Sequence, residues 1–502
     1  MRLTKTQLIL SGAFCASLFA APADALSDKL VIEAGHIILH DAEDIEDGVI
    51  VVENGRIAAI GKADEVELPW DAVVVGGPDY TAAPGFVEAL TSRGMDRANE
   101  NLDVVPFLNV RDSIDPVNFY FEDAKRWGIT TINVQQGTNT VVSGNGRIVK
   151  PTGVTVEEMT VRPNYGYMIA IDPKSGKSRA TQRQALRNAF GDLRRELEDL
   201  VGTKRDEADT ARREALAQGR DQDDQKSPGR AMTGSGWTVE GLELVDRSEI
   251  DEKLRPLLSM VEGRAYTFIY CGAPMDVQPA IDFARDNGLA ERATLVLDDS
   301  CWKAADAIKA SGMSVILDSD LMHVETDPVT EEETETFVPK VFADKGIPFA
   351  LQSANSSTNS LWFQAAVCVA NGMTRDQALA AVTTSPAMII GLEKEVGKLA
   401  PGMAANVLLL SGDPLDITTK VHKAIIDGAV IYDHTQDTRN RHLLEGEAPR
   451  GATAAETEEV EEPSKTDDDA DDEETGDEPA EGESGDEPGD EPGDEHQEHE
   501  EK

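Results

Sequence analysis

Short apolar runs alternate with amphipathic segments through the middle of the chain. Residues 119–134 give a helical pattern, then Gly128, then the apolar run ITTINV, and the same order recurs at 277–297, 303–317 and 338–351. Apolar runs without alternation are typical of parallel strands that are buried on both faces. Four such units in series predict an α/β fold with a TIM-like (β/α)8 barrel, with a doubly wound sheet as the alternative.

Two hairpin patterns lie outside this middle region. Asn54-Gly55 separates two alternating apolar runs near one end, and Asp427-Gly428 does the same near the other. Both pairs readily adopt the positive φ angles of a type I′ turn, so two-residue hairpins are predicted. Two β-rich pieces therefore bracket the barrel, at residues 26–83 and 396–440.

A charged stretch interrupts the α/β alternation at about residues 176–250. Five apolar residues in it are spaced by four or three positions: Leu186, Phe190, Leu193, Leu197 and Leu200. This spacing places them on one face of a helix, which predicts an inserted helix packed over the barrel. A coiled-coil partner surface is the alternative, although the pattern covers only about two heptads.

The first 25 residues have the pattern of a cleaved secretory signal. Arg2 and Lys5 precede an apolar run over 8–20, and Ala23-Asp24-Ala25 provides small residues for cleavage. A membrane anchor is less favoured because the run is shorter than the roughly 20 residues of a spanning helix. The sequence thus predicts a secreted or periplasmic protein without a membrane association after cleavage.

The formal net charge is -47, and residues 441–502 carry much of it. Glu, Asp, Gly, Ser and Pro dominate this tail, which predicts a disordered acidic segment. Weak calcium binding is the functional alternative, and the tail as the working part of the protein is a third hypothesis for the whole chain. Because the remainder is also acidic, nucleic acid is not expected as a partner.

Three cysteines remain after removal of the predicted signal: Cys271, Cys301 and Cys368. An odd number in an oxidising compartment permits at most one disulfide. We predict three buried thiols that act as small apolar residues, with a single disulfide as the alternative.

Two sequence blocks resemble the amidohydrolase superfamily. APGFVE at 83–88 resembles the family's entry into the first barrel strand, and GKLAPGMAAN at 397–406 resembles its return into the small β domain. Residues 128–144 and 378–387 resemble the imidazolonepropionase-like branch. The resemblance implies a barrel over residues 84–395 and a composite β-sandwich formed by the two terminal pieces.

The resemblance also implies metal chemistry, but the expected ligands are absent. In this family histidines and carboxylates hold one or two divalent metals that activate water. The His-x-His pair after the first strand is replaced by Leu90 and Ser92, a later histidine by Tyr270, and the late aspartate by the stretch containing Ala354. These four are the predicted degenerate ligand positions. No histidine occurs between His40 and His323.

Several other side chains fall near predicted strand ends and are candidates for a rebuilt site. They are Glu88, Cys271, Asp298, Asp299, Asp320 and His323. Carboxylates around a thiol or an imidazole can hold a metal or transfer protons. A solvated loop is the simpler interpretation of His323, which could otherwise face the barrel mouth with Asp318 and Asp320.

A polar loop after the second barrel strand is a weaker candidate for ligand binding. Gly137, Asn139, Ser143 and Gly144 lie in a stretch with the composition of loops that present backbone donors to a ligand.

The favoured hypothesis is an exported, non-catalytic homologue that binds a small molecule or acts as partner of an intact amidohydrolase paralogue. The alternative is an active hydrolase of non-peptide C–N bonds, in cyclic amides or related compounds, that uses a rebuilt carboxylate-rich site. No cofactor is expected under the first hypothesis. Zinc, manganese or nickel is expected only if the site is rebuilt.

Overall fold

The computed structural model describes residues 29–40, 42–218, 239, 241–353 and 360–440. The predicted signal peptide and acidic tail lie outside these residues, as does Ala354.

The described strands, in chain order, are β1 (Lys29–Ile37), β2 (Ile45–Glu53), β3 (Arg56–Lys62), β4 (Val73–Pro84), β5 (Phe86–Thr91), β6 (Ile129–Val134), β7 (Val142–Asn145), β8 (Arg147–Val149), β9 (Thr160–Arg162), β10 (Gly166–Ala170), β11 (Tyr266–Cys271), β12 (Ala293–Leu297), β13 (Ser314–Leu317), β14 (Met322–Thr326), β15 (Glu333–Phe337), β16 (Phe349–Leu351), β17 (Val407–Leu410), β18 (Val421–Ile426) and β19 (Ala429–Asp433).

The described α-helices are α1 (Phe119–Arg126), α2 (Val156–Met159), α3 (Arg179–Ala217), α4 (Arg255–Val261), α5 (Pro274–Asp286), α6 (Ala305–Ser311), α7 (Val338–Lys345), α8 (Leu361–Ala370), α9 (Arg375–Ala380) and α10 (Thr384–Ile389).

The two β-rich ends of the chain build one sheet. Its seven strands lie in the order β19-β18-β17-β4-β1-β2-β3, so β4 joins the N-terminal strands to the C-terminal ones. Both predicted hairpins are confirmed. Asn54 and Gly55 have φ angles of 52° and 74°, and Asp427 and Gly428 have φ angles of 49° and 78°.

The central region forms two further sheets. Strands β10, β11, β12, β13 and β16 are parallel neighbours, with β7 antiparallel at the edge beside β10. The other sheet has the order β5-β6-β8-β9, in which β5 and β6 are parallel. The structure confirms a mixed α/β fold, but strand pairing among the described residues does not close into one eight-stranded barrel.

The reason lies in two connections between the sheets. Residues 142–149 run from β7, which pairs with β10, into β8, which pairs with β6, so an antiparallel segment separates two barrel strands. At the opposite side, Leu351 N donates to Ala381 O at 3.0 Å and Val87 N donates to Val382 O at 2.9 Å. Ala381 and Val382 lie between β16 and β5 there, and neither belongs to a described strand.

Side chains of the central strands alternate between two buried layers. Val87, Met168 and Phe268 belong to an interior cluster, against which Tyr270 packs. Phe86 and Cys271 instead face the helices in a larger cluster. The side chains at the last residue of each strand and just after it therefore determine which chemical groups lie at the open end of this interior.

The predicted inserted helix is α3, which begins after the capping residue Ser178 and extends for 39 residues. Four of its five predicted apolar positions are fully buried and Leu200 is partly buried. Arg179 and Arg183 in its first two turns both contact Asp276 of α5, which has no exposed surface. The charged insertion is thus packed on the central region, as predicted.

No helix within the described ranges combines the length and the apolar character needed to cross a membrane.

Candidate functional site

A cavity of about 180 Å³ lies where several central strands end. Leu90 and Ser92 reach it from β5, Tyr270 from β11, Asp318 from the residue after β13, and Gln352 from the residue after β16. Its remaining lining residues are Thr91, Ala98, Asn99, Gln136, Gly137, Thr138, Met168, Val296 and Leu297. In parallel α/β folds this carboxyl edge is where ligands bind and where active sites lie.

Two larger cavities lie elsewhere, away from the carboxyl ends of the parallel strands. One of about 260 Å³ is lined by Trp127, Trp362 and residues of β17–β19, and one of about 420 Å³ lies beside Phe190 of α3. Neither is lined by residues that follow the parallel strands. Position in the fold, rather than volume, identifies the smaller cavity as the candidate site.

Three predicted degenerate ligand positions meet at this cavity: Leu90, Ser92 and Tyr270. The fourth, Ala354, lies outside the described residues, but Gln352 from the same stretch lines the cavity. None of these side chains is an imidazole or a carboxylate, which are the ligands that zinc or manganese requires in such hydrolases. The residues present therefore do not fit the metal centre that the sequence resemblance implies.

The cavity is instead acidic on one side. Asp318 accepts hydrogen bonds from Ser319 N at 2.7 Å and from Gln352 Nε2 at 3.4 Å. Burial raises the pKa of the Asp318 carboxyl, and the nearby charge of Asp320 adds to the increase. Burial likewise raises the pKa of Asp298, whose side chain accepts from Asp299 N at 2.8 Å.

Tyr270 lies among these carboxylates. Burial raises the pKa of its phenol, and the negative charges of Asp298, Asp172 and Asp318 raise it further. Tyr270 therefore stays a neutral phenol in the cavity wall.

His323 lies in a strand rather than in the solvated loop that the sequence favoured, and it does not line the cavity with Asp318. It lies in the two-stranded hairpin of β14 and β15, and its Nδ1 is 3.0 Å from Asp299 Oδ2. Its ring stands edge-on to Trp302, with 6.4 Å between ring centroids. Asp299 belongs to the segment that follows β12, and Asp320 is exposed.

Cys271 is buried against the helices and does not line the cavity. The Cys301 thiol donates to Cys271 O at 3.2 Å, and burial raises the pKa of Cys301 to about 12. Cys271, Cys301 and Cys368 are all free and buried, which confirms the prediction of three thiols over that of a disulfide.

Glu88 lies on the helix-facing side of β5, away from the cavity. Its carboxyl group has no exposed surface and accepts from Ser353 N at 3.1 Å and from the Ser353 hydroxyl. Burial raises the pKa of Glu88 to about 7, although the hydrogen bonds from Ser353 and the charge of Arg93 oppose the increase. Glu88 therefore joins the ends of β5 and β16 and is separate from the other candidates.

The six rebuilt-site candidates thus occupy different places. Among the described residues, no group of three His, Cys, Asp or Glu side chains is arranged to hold a metal ion. Asp299 and His323 are in side-chain contact, Asp298 N donates to Cys271 O at 3.2 Å, and the charges of Asp299 and Asp320 contribute to the raised pKa of Asp298.

The predicted ligand loop is only partly at the cavity. Gly137 lines it, but Gly137 N donates to Ala98 O at 2.7 Å. Asn139 N donates to Asn99 Oδ1, and Asn139 Oδ1 accepts from Ser175 N. Ser143 and Gly144 are not in a loop: they lie in β7, where the Ser143 hydroxyl accepts from Met168 N at 2.7 Å.

Gln136 and Asn99 are cavity residues that the sequence analysis missed. Gln136 is only 6% exposed, and its Oε1 accepts from Gly144 N at 2.6 Å. Its position two residues after the apolar run of β6 is the signal that could have identified it. Asn99 lies in a long segment between β5 and α1 that has no comparable pattern.

The mixed α/β fold and the composite terminal sheet come with a cavity at the ends of parallel strands, which is where parallel α/β proteins bind ligands. Residues 270–432 match the model of the amidohydrolase family. The chain is 21% identical over 425 residues to the Amidohydrolase tasK of Hapsidospora irregularis. It also resembles the crystal structure of an amidohydrolase from Thermotoga maritima, with a TM-score of 0.61 and 19% identity over 80% of this chain and 100% of that one. By sequence over residues 270–432 and by its fold, the chain is similar to amidohydrolases.

The match to the fungal relative covers 77% of this chain but only 40% of that protein's length. The chain thus spans less than half of the curated relative.

Proposed function

We propose that this chain is an exported amidohydrolase-superfamily protein that binds a small molecule at the ends of its central strands without hydrolysing it through a metal centre. It works by itself or as the partner of an intact paralogue. The observation that carries the proposal is the meeting of Leu90, Ser92 and Tyr270 at one cavity in the place of metal ligands.

Physical chemistry supports the loss of the shared mechanism. A bound divalent metal lowers the pKa of its water, and this requires several nitrogen or oxygen ligands that converge on one ion. Leucine offers no such ligand, and a serine hydroxyl or a neutral phenol is a weak one. In this proposal the two central sheets correspond to the family's barrel. Residues 142–149 interrupt the strand pairing that would close it.

Metal content and activity together test the proposal. The mature protein, purified without chelators, is expected to contain zinc, manganese and nickel far below one equivalent by elemental analysis. It is also expected not to hydrolyse a panel of cyclic amides such as hydantoin and dihydrouracil, with or without added metal. Stoichiometric metal together with metal-dependent hydrolysis would falsify the proposal.

The variant Leu90→His/Ser92→His provides the matched comparison, because it restores the first ligand pair at its place in the cavity. More metal in this variant than in the parent protein is expected if these positions face the former metal site. Equal metal content in both proteins would place the ligand positions elsewhere and remove the observation that carries the proposal.

A further inference from the structure

The charge of the cavity wall is one-sided. Among its described lining residues, Asp318 is the only charged one, and neither lysine nor arginine is present. Asp318 makes no ion pair with any described residue, in contrast to Asp172 nearby, which contacts Arg179 at 2.8 Å. Asp298 adds further negative charge close to Tyr270. A cavity bounded by one sign of charge favours a ligand of the opposite sign.

The aromatic ring of Tyr270 in the wall also favours a positively charged ligand. Tyr270 lines the cavity beside Asp318, and its phenol stays neutral. A cation over an aromatic face is stabilised by the electron-rich ring, most strongly where water is excluded. An anion would lose this stabilisation and would also be repelled by Asp318.

A bare metal ion fits the cavity less well than an organic cation. The described carboxylates do not form a group of three around one point. Leu90, Met168, Val296 and Leu297 give the wall an apolar part that a metal ion with its waters would leave unused. A short hydrocarbon chain with a charged end uses both parts.

Gln136 specifies a second feature of the ligand. This side chain is 6% exposed and lines the cavity, and its oxygen is occupied by Gly144 N. Its amide nitrogen has no hydrogen-bond partner among the residues that the structure describes. A ligand that fills the cavity would leave this donor without water, so an acceptor on the ligand would stabilise the complex.

We infer that the cavity binds a small organic cation, with a primary ammonium group beside Asp318 and Tyr270 and a carbonyl oxygen facing Gln136. The volume of about 180 Å³ is below the roughly 300–1,000 Å³ of pockets for drug-sized ligands, so the ligand is a short chain. The inference rests on the proposed function, since it names the class of molecule that is bound without being hydrolysed.

The test compares ligands of equal shape on the full mature protein by isothermal titration calorimetry at pH 7.5 and low salt. The probe is 4-aminobutyramide, and its uncharged isostere is pentanamide, in which a methyl group replaces the ammonium group. Glutaramate is the anionic counterpart. We expect 4-aminobutyramide to bind at least about tenfold more tightly than pentanamide, as for one hydrogen bond to a charged group. Glutaramate should bind more weakly than either.

Two isosteric variants locate the charge. Asp318→Asn should abolish the preference for the cation, whereas Asp320→Asn removes a nearby exposed carboxylate and should retain it. Tyr270→Leu should also weaken binding of the cation, while Tyr270→Phe, which keeps the ring, should not. Circular dichroism verifies the fold of each variant, and the ligand series on the parent protein tests the inference independently of them.

Equal binding of the cation and its isostere, or absence of binding by both, would overturn the inference. An equal loss in Asp318→Asn and Asp320→Asn would overturn it as well, because attraction would then come from the acidic surface in general. Release of 4-aminobutyrate, monitored by NMR in the same samples, would instead refute the proposed function. The two failures are therefore distinguishable.

Discussion

Glu88 should make the protein less stable as the pH rises from acid to neutral. Its ordinary pKa is 4.5, and burial raises it to about 7 in the folded protein. Below the lower value the carboxyl is protonated in both states. Between the two values only the unfolded chain loses the proton, so the free energy of unfolding falls as the pH rises, and above about 7 the loss is complete.

The size of this effect follows from the two pKa values. Their difference corresponds to about 3 kcal/mol of unfolding free energy, of which roughly 2 kcal/mol falls between pH 5.5 and 8.5. Because Glu88 has no exposed surface, solvent does little to screen it. The substitution Glu88→Gln keeps the shape and one acceptor oxygen for Ser353 but cannot ionise.

Urea unfolding monitored by tryptophan fluorescence measures the difference directly. The stability of Glu88→Gln relative to the parent protein should improve by roughly 2 kcal/mol from pH 5.5 to pH 8.5. Glu53→Gln, an exposed glutamate at the end of β2, is the matched control and should show no such trend. A difference between Glu88→Gln and the parent that stays constant with pH would refute the reasoning.

Three further outcomes are expected. Arg179→Met/Arg183→Met should lower the free energy of unfolding by about 3–5 kcal/mol in urea titrations, because Asp276 would remain buried without a partner, and Arg179→Met alone should cost less. A loss no larger than that of the single variant would contradict this account. Gly35→Ala should destabilise by about 2 kcal/mol or more, since its new β-carbon would lie 2.0 Å from the carbonyl oxygen of Pro78, and unchanged denaturation would show that the strand yields. The three described cysteines should react with a thiol reagent at pH 8 only after unfolding, because all are buried and burial raises the pKa of each thiol; rapid labelling of the native protein would count against this.

Local patterns predicted much of the fold. Strand β13 and helix α7 lie within the predicted segments 303–317 and 338–351, and the two hairpins follow from the φ preferences of Asn-Gly and Asp-Gly. Helix α3 was found from one apolar face. In each case the information lies within a few neighbouring residues.

The site was harder to predict because it depends on contacts between distant residues. The missing histidines were visible in the sequence, and the structure brings Leu90 and Tyr270 together. The solvated loop that the sequence favoured for His323 was wrong, because this residue lies in the hairpin of β14 and β15. Ser143 and Gly144 were expected in a loop, since their polar composition conceals that β7 pairs with β10.

The position of β4 has a consequence for how the chain is made. Its neighbours in the sheet are β1, which precedes it closely, and β17, which is synthesised more than three hundred residues later. Until β17 arrives, one edge of β4 is unpaired, and unpaired edges are sites where chains join other chains. A growing or truncated chain is therefore expected to need chaperones. Once the C-terminal strands are made, β17 covers the unpaired edge of β4.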